Sequence, residues 1–423
     1  LFEVAVKNPK SKNYTLDNFF LGYALYLDYD AKTSPKEQLT QADQAFTKVI
    51  EVSPTTQDAH LYRARVNNLV ETPEAKNIVL TSYEQYIKIL DDKGDAEKAK
   101  PSSKKGLIEA LTHRYSKDTT ITRPVLDSSY AVAMRKVYEK YSDDVTIASI
   151  FAESLMDLHP WNLWNKDGTA QPWTPEIMTV LKKCIQLEPK HAGANHFYIH
   201  ATEMSQHPEE AEDSADLLRD LVPGSGHLVH MPSHTYIRMG RYHDGVLTNQ
   251  KAVLIDSLYL EACHAQGAYP LGYYPHNYHF IAACATIAGD SKAALDGAIK
   301  TANHAHKKLF RDPDWSTLQH YYSIPWYIEV KLGLWKAIMN SKAPEKDLKY
   351  PLVVWHYAQG MAMLSQNNIA DAKKHLDGMK KIMLDTKIKD LTIWEGNSVF
   401  DLCTIASKIL DGEINAKEKN YTK

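Results

Sequence analysis

Apolar positions recur at spacings of three and four along most of this chain, with polar residues between them. That is the pattern of amphipathic helices buried on one side. Residues 16–54 read as a helical pair. Leu16 to Tyr29 carries one apolar stripe, Ala42, Phe46 and Val49 carry the next, and Pro54 stops it. A second pair is expected from Ala59 to Leu90. The stretch DDKGDAEKAKPSSKK, residues 91–105, has no apolar stripe and contains Gly and Pro, so it reads as a linker or, in its charged part, a solvated helix end. Helices follow over Gly106–Tyr115, Asp127–Tyr141 (with Asp127 as N-cap) and Val145–Leu158.

HPWNLWNKDGTAQPWTP then breaks the pattern. Its three Pro forbid a continuous helix, and its three Trp suit either a loop capping a groove or an aromatic plug between helix pairs. Beyond it lie Pro175–Leu187, a helix carrying His196, His200 and Glu203, its partner Glu209–Leu221, and a helix carrying His230 and His234 that ends at Gly240. A partner helix starts near Tyr242. Residues 256–274 form a long insert, and PHNYHFIAACATIAG ends a further helix at Gly289. Two more pairs are expected around Leu318–Met339 and Val353–Met383, then a last helix near Ser398–Leu410 and a frayed, charged tail.

The pattern has a long period as well. His196 and His200 stand four apart, as do His230 and His234, and the second pair follows the first by 34 residues. That is the period of a tetratricopeptide repeat, a helix–turn–helix unit that stacks on its neighbours. The fold expected is all-α: a tetratricopeptide-repeat-like right-handed helical solenoid. Helical hairpins occupy 1–90, the linker 91–105, and a histidine-rich solenoid 106–423. With Gly240 as repeat position 15, both His pairs fall at positions 5 and 9, and Glu203 at 12. Aligning Gly289 with Gly240 puts His279 with His230 and His276 with His227. Positions 2, 5, 9 and 12 face the concave groove of such repeats, so these imidazoles are expected to converge.

Composition narrows the function. The chain has 423 residues, 44% hydrophobic and 24% charged, with a net charge of −3, which argues against a nucleic-acid partner. No apolar run approaches a membrane span. The four Cys are scattered, so neither a disulfide framework nor a Cys-based zinc knuckle is indicated. An N-terminus at Leu1 rather than Met fits processing or trimming. It leaves room for a removed export signal and a periplasmic or extracellular location, which the sequence does not decide.

Of 19 His, 11 fall between His191 and His279. Imidazole is the commonest metal-ligand side chain, and thiolate-free His clusters suit zinc, copper, iron or nickel. The candidate ligands are His196, His200, His230, His234, His276 and His279, with Glu203 as ligand or catalytic base. The alternative is a polar groove with hydrogen-bonded His. Other histidines, His320, His356 and His375 among them, read as packed residues. Neither pair has the H-E-x-x-H glutamate of zinc proteases, and no nucleophile elbow, Walker loop or dinucleotide fingerprint is present. Gly224-Ser225-Gly226 reads as a tight turn, with an anion site at the helix start as the alternative.

The run HLVHMPSHTYIRMGRYHDG, with NHFYIHATE before it and YYPHNYHF after it, resembles a widespread bacterial group of histidine-rich tetratricopeptide-repeat proteins. The resemblance covers residues 106–289 well and the C-terminal helices loosely. It implies the repeat scaffold and the motif, and no particular reaction. The residues themselves point to a metal-dependent enzyme, a copper oxidoreductase slightly ahead of a zinc hydrolase, acting on a small molecule or peptide in the groove. The rivals are a repeat scaffold that binds a peptide or protein partner without catalysis, and a metal storage or delivery protein. The oligomeric state is not legible.

Overall fold

A computed structural model describes residues 37–54, 56–68, 73–92, 103–118, 120–263, 269–394 and 396–421. The expected helix Leu16–Tyr29 and residues 93–102 of the expected linker lie outside them. The chain is all-α, a tetratricopeptide-repeat-like helical solenoid. It divides into two compact units: Leu1–Val222 with Glu261–Ala265, and Pro223–Leu260 with Gln266–Lys423.

The first unit contains α1 (Glu37–Val52), α2 (Gln57–Asn68), α3 (Pro73–Asp92), α4 (Ser103–Thr112), α5 (Arg123–Lys140), α6 (Val145–Met156), α7 (Thr174–Leu187), α8 (Ala192–Thr202) and α9 (Glu212–Leu221). Each helix packs on the next in sequence, and α6 also packs on α8. That pattern is the stacking of hairpins: neighbours pair, and the first helices of successive hairpins meet. In α1 the expected stripe is inward: Ala42, Phe46 and Val49 are fully buried. Burial of a Phe or Val side chain contributes roughly 1.5–3 kcal/mol. Helix α5 begins at Arg123, with Pro124 in its first turn and Thr122 as N-cap. Asp127 is therefore not the cap but lies one turn in, where it accepts a hydrogen bond from Arg123 Nε at 2.9 Å. A Pro in the first turn loses no helical hydrogen bond and sets the start instead.

The tryptophan loop is tied to α8. Trp164 Nε1 donates to the Ala201 carbonyl at 2.8 Å, Trp173 stacks on His159 at 3.6 Å, and Trp161 stays exposed. None of the three rings is buried, and only Trp164 ties the loop to α8.

The second unit contains α10 (Gly226–His230), α11 (Pro232–Met239), α12 (Tyr242–Cys263, its last residues grouped with the first unit), a π-helical turn (Tyr269–Tyr273), α13 (Tyr274–Ala288), α14 (Ser291–His304), α15 (Thr317–Leu332), α16 (Trp335–Asn340), α17 (Lys349–Ser365), α18 (Ile369–Met383) and α19 (Val399–Lys417). Again α13 packs on α15, α15 on α17 and α17 on α19, alongside the sequential pairs. The repeat glycines act as expected: Gly240 and Gly289 end α11 and α13 in the left-handed region at φ 81°. Gly297 serves another purpose. A Cβ there would stand 2.9 Å from the Ala282 nitrogen and 3.0 Å from the Tyr278 carbonyl, so its lack of a side chain lets α14 close on α13.

Other expectations change as well. The His230–His234 helix is two pieces, broken at Met231 because Pro232 opens a new helix. The insert at 256–274 begins inside α12, which runs on to Cys263. The last helix continues through the charged tail to Lys417 rather than fraying near Leu410, with Ile414 buried on its inner face. A short hairpin, β1 (Thr392–Ile393) with β2 (Asn397–Ser398), precedes it, too short to show as an alternating pattern.

Candidate metal centre

In the first unit, α8 carries His196 and His200 with ring centroids 4.9 Å apart. His191 caps the helix, its Nδ1 accepting from the Ala194 amide at 3.1 Å. Glu203 caps the other end, and its Oε1 lies 2.9 Å from His200 Nδ1. A carboxylate on Nδ1 turns the Nε2 lone pair of His200 outward, the usual way of orienting a ligating imidazole. Glu203 thus stands where it orients His200.

The second unit brings His230, His234 and His276 together, with one ring nitrogen from each within 4.8 Å of the others. His230 is fully buried. Its Nδ1 lies 2.6 Å from Asn249 Oδ1 on α12, and Asn249 Nδ2 donates to the Gly245 carbonyl at 2.7 Å. A carbonyl only accepts, so the amide orientation is fixed and Oδ1 faces the ring. Nδ1 of His230 therefore carries the proton, and its Nε2 presents a lone pair. His234 Nε2 stands 2.9 Å from that lone pair and donates to it.

The His276 ring, from α13, lies 4.9 Å from His230 and 5.8 Å from His234. Phe280, one turn on, packs against all three rings at 4.7–4.9 Å and makes an apolar wall. Burial, then His234 and His276, hold the His230 imidazole well below its ordinary value, against the pull of Asn249. It stays neutral at neutral pH, as a ligand must.

Other groups ring the trio. His227 is 6.1 Å from His230 and meets Tyr273 edge-on at 5.2 Å; Trp394 lies 6.4 Å from His276. His279, aligned by register with His230, is not brought into the trio. It lies against His320 at 5.5 Å and Tyr321 at 5.8 Å. Of the two candidates on α13, His276 joins the trio and His279 faces α15 instead. Gly226 supports the tight-turn reading: a Cβ there would overlap the buried Asp256 carboxylate at 1.8 Å, so the chain's own side chain fills that space.

Sequence reasoning missed Asn249 and Phe280. Asn249 is 19 residues from His230 and on another helix, so no local pattern marks it. Phe280 follows His276 by one turn, which could have marked it as sharing that face.

Tetrahedral zinc with bonds of 2.0–2.1 Å separates its nitrogen ligands by about 3.3 Å. The His230–His234 spacing needs to open only slightly to reach that. Three imidazoles without thiolate form a donor set for zinc or copper and leave a further coordination position open.

No protein-family model matches the chain, and no curated protein is significantly similar to it. Among solved structures, the human IFIT1 dimer with m7Gppp-AAAA aligns with 100% of this chain and 92% of its own at 13% identity and a TM-score of 0.42. Yeast Tom70 aligns over 99% and 94% at 12% identity and 0.29. A signal-transduction ATPase with a tetratricopeptide-repeat sensor from Pyrococcus horikoshii aligns over 93% and 54% at 13% identity and 0.37. Likeness at this level carries no argument about function. Fold and site together define the class: a tetratricopeptide-repeat-like helical protein with a partly buried histidine cluster that could hold a metal ion. Among the described residues, no helix is long and apolar enough to cross a membrane.

Proposed function

We propose that this chain is a metal-binding repeat protein whose second unit holds one zinc or copper ion on His230, His234 and His276. The observation that carries the reading is the fixed tautomer of His230. Asn249 Oδ1 accepts a hydrogen bond from Nδ1–H, and the remaining lone pair points at a second imidazole nitrogen 2.9 Å from Nε2. A metal ion would take the place of the single proton shared there. A bound ion with an open position would supply Lewis-acid activation of water or, as copper, redox chemistry. His230 and His234 would hold it, His276 would complete the set, and Phe280 would keep bulk water from that side.

The fold favours a second reading. Stacked helical hairpins present long concave surfaces that bind peptide or protein partners, and a hydrogen-bonded histidine cluster is compatible with a scaffold of that kind. One experiment separates the two. The protein is purified without added metal, its metal content is measured, and its melting temperature is followed with zinc and with copper. Binding only to the native state raises melting by mass action. The wild type is expected to carry or take up one ion. The His230→Ala/His234→Ala variant is expected to lose it, and His375→Ala to keep it. A wild type that carries no metal and is stabilised by none hands the function to the scaffold reading.

A further inference from the structure

A second site lies in the same unit, away from the trio. Helices α13, α15, α17 and α19 line a groove of about 440 Å³. That is within the usual size of a small-ligand site. Its lining is mostly aliphatic, from Ala282, Ile324, Ile328, Leu402 and Ala406. The rim is apolar too: Ile287, Ile405 and Ile409 are 54%, 55% and 44% exposed.

The polar groups in it converge. His279 and His320 both line the groove, with rings 5.5 Å apart. His320 Nδ1 is engaged by the Tyr350 hydroxyl at 2.7 Å, and Tyr350 lies 3.5 Å from the hydroxyl of Tyr327, a further lining residue. His320 therefore has Nε2 left to offer. For the His279 nitrogens no protein hydrogen-bond partner is found among the described residues. A ligand group in the groove can therefore engage them. Burial lowers both imidazoles, His279 to about 4 and His320 to about 3, so both are neutral at neutral pH. A charged head group finds no counter-ion among them, whereas a neutral hydroxyl can donate to an imidazole nitrogen or accept from its N–H.

We propose that this groove binds a small, uncharged amphiphile, an apolar body carrying one hydroxyl group, with the hydroxyl on His279 and His320. The site is distinct from the metal trio and needs no ion.

The test uses the full chain, freed of metal, and three probes of one shape: 4-pentylphenol, pentylbenzene and 4-pentylbenzoate, measured by calorimetry near neutral pH. The phenol is expected to bind with one-to-one stoichiometry. The hydrocarbon and the benzoate are each expected to bind about tenfold more weakly, the size of one neutral hydrogen bond. His279→Leu should erase the preference for phenol over hydrocarbon. Ile405→Glu, an exposed rim position, should weaken both. Circular dichroism checks that each variant folds; should His279→Leu fail to fold, the wild-type series and Ile405→Glu still decide. No binding of the phenol, equal affinity for phenol and hydrocarbon, or phenol binding unchanged in Ile405→Glu overturns the proposal.

Discussion

At His230 the partner that matters most is Asn249. It fixes which nitrogen is protonated, and it is itself held by the Gly245 carbonyl. Asn249→Leu keeps the approximate volume and removes the acceptor. The Nδ1 proton then has no carbonyl oxygen to meet, and the ring is free to change tautomer. We expect metal affinity to fall about 10- to 100-fold, the usual effect of losing such an outer partner. Competition against a chelator of known affinity measures it, and unchanged affinity would remove Asn249 from the site. His279 gives the opposite expectation. It is one turn from His276 in sequence yet packs on His320, so His279→Leu should leave metal content unaltered. Loss of metal in that variant would mean that the trio is wrongly drawn.

The scale of the element is where turn glycines and helix breaks act. Gly240 sits at φ 81° with open space where a Cβ would be, so only backbone conformation opposes a side chain. Gly240→Ala should therefore cost about 1 kcal/mol, seen as a lower melting temperature. Gly412, inside α19, also has nothing within 4 Å, and its φ is not positive. Gly412→Ala should stabilise by roughly 0.5–1 kcal/mol, because alanine loses less entropy in a helix. Equal effects at the two positions would contradict this assignment of turn and helix.

The same scale explains what was legible in the sequence. Gly240 and Gly289, the stripe of α1 and the i, i+4 histidine pairs follow from local spacing, and the structure places them as that spacing implies. The break at Met231 is marked by Pro232, which the 34-residue register passes over. The contacts of His230 with Asn249 and of His279 with His320 join separate helices, so no local periodicity carries them.

At the scale of the whole molecule, buried neutral imidazoles make stability depend on pH. His279, His320 and His356 are lowered by burial to about 4, about 3 and about 4, against an ordinary value of 6.5. The unfolded chain therefore binds protons that the folded chain refuses. Their contribution is fully present above about pH 6.5 and is lost as pH falls from there towards about 4. In that window each such histidine lowers unfolding free energy by about 1.4 kcal/mol per pH unit.

The carboxyls of Glu153, Asp157, Asp256 and Glu329 are raised by burial, which acts in the opposite sense as they protonate. The two sets of groups therefore oppose one another as pH falls, and removing histidines isolates their share. Denaturant unfolding of the metal-free protein between about pH 7.5 and about pH 5.5 should show stability falling with acid. The fall should be shallower in a His279→Leu/His320→Leu variant, which removes two of the groups that must stay neutral. A variant whose stability falls with acid as steeply as the wild type would mean that these imidazoles take up protons in the folded state, and the argument for an uncharged ligand beside them would fall with it.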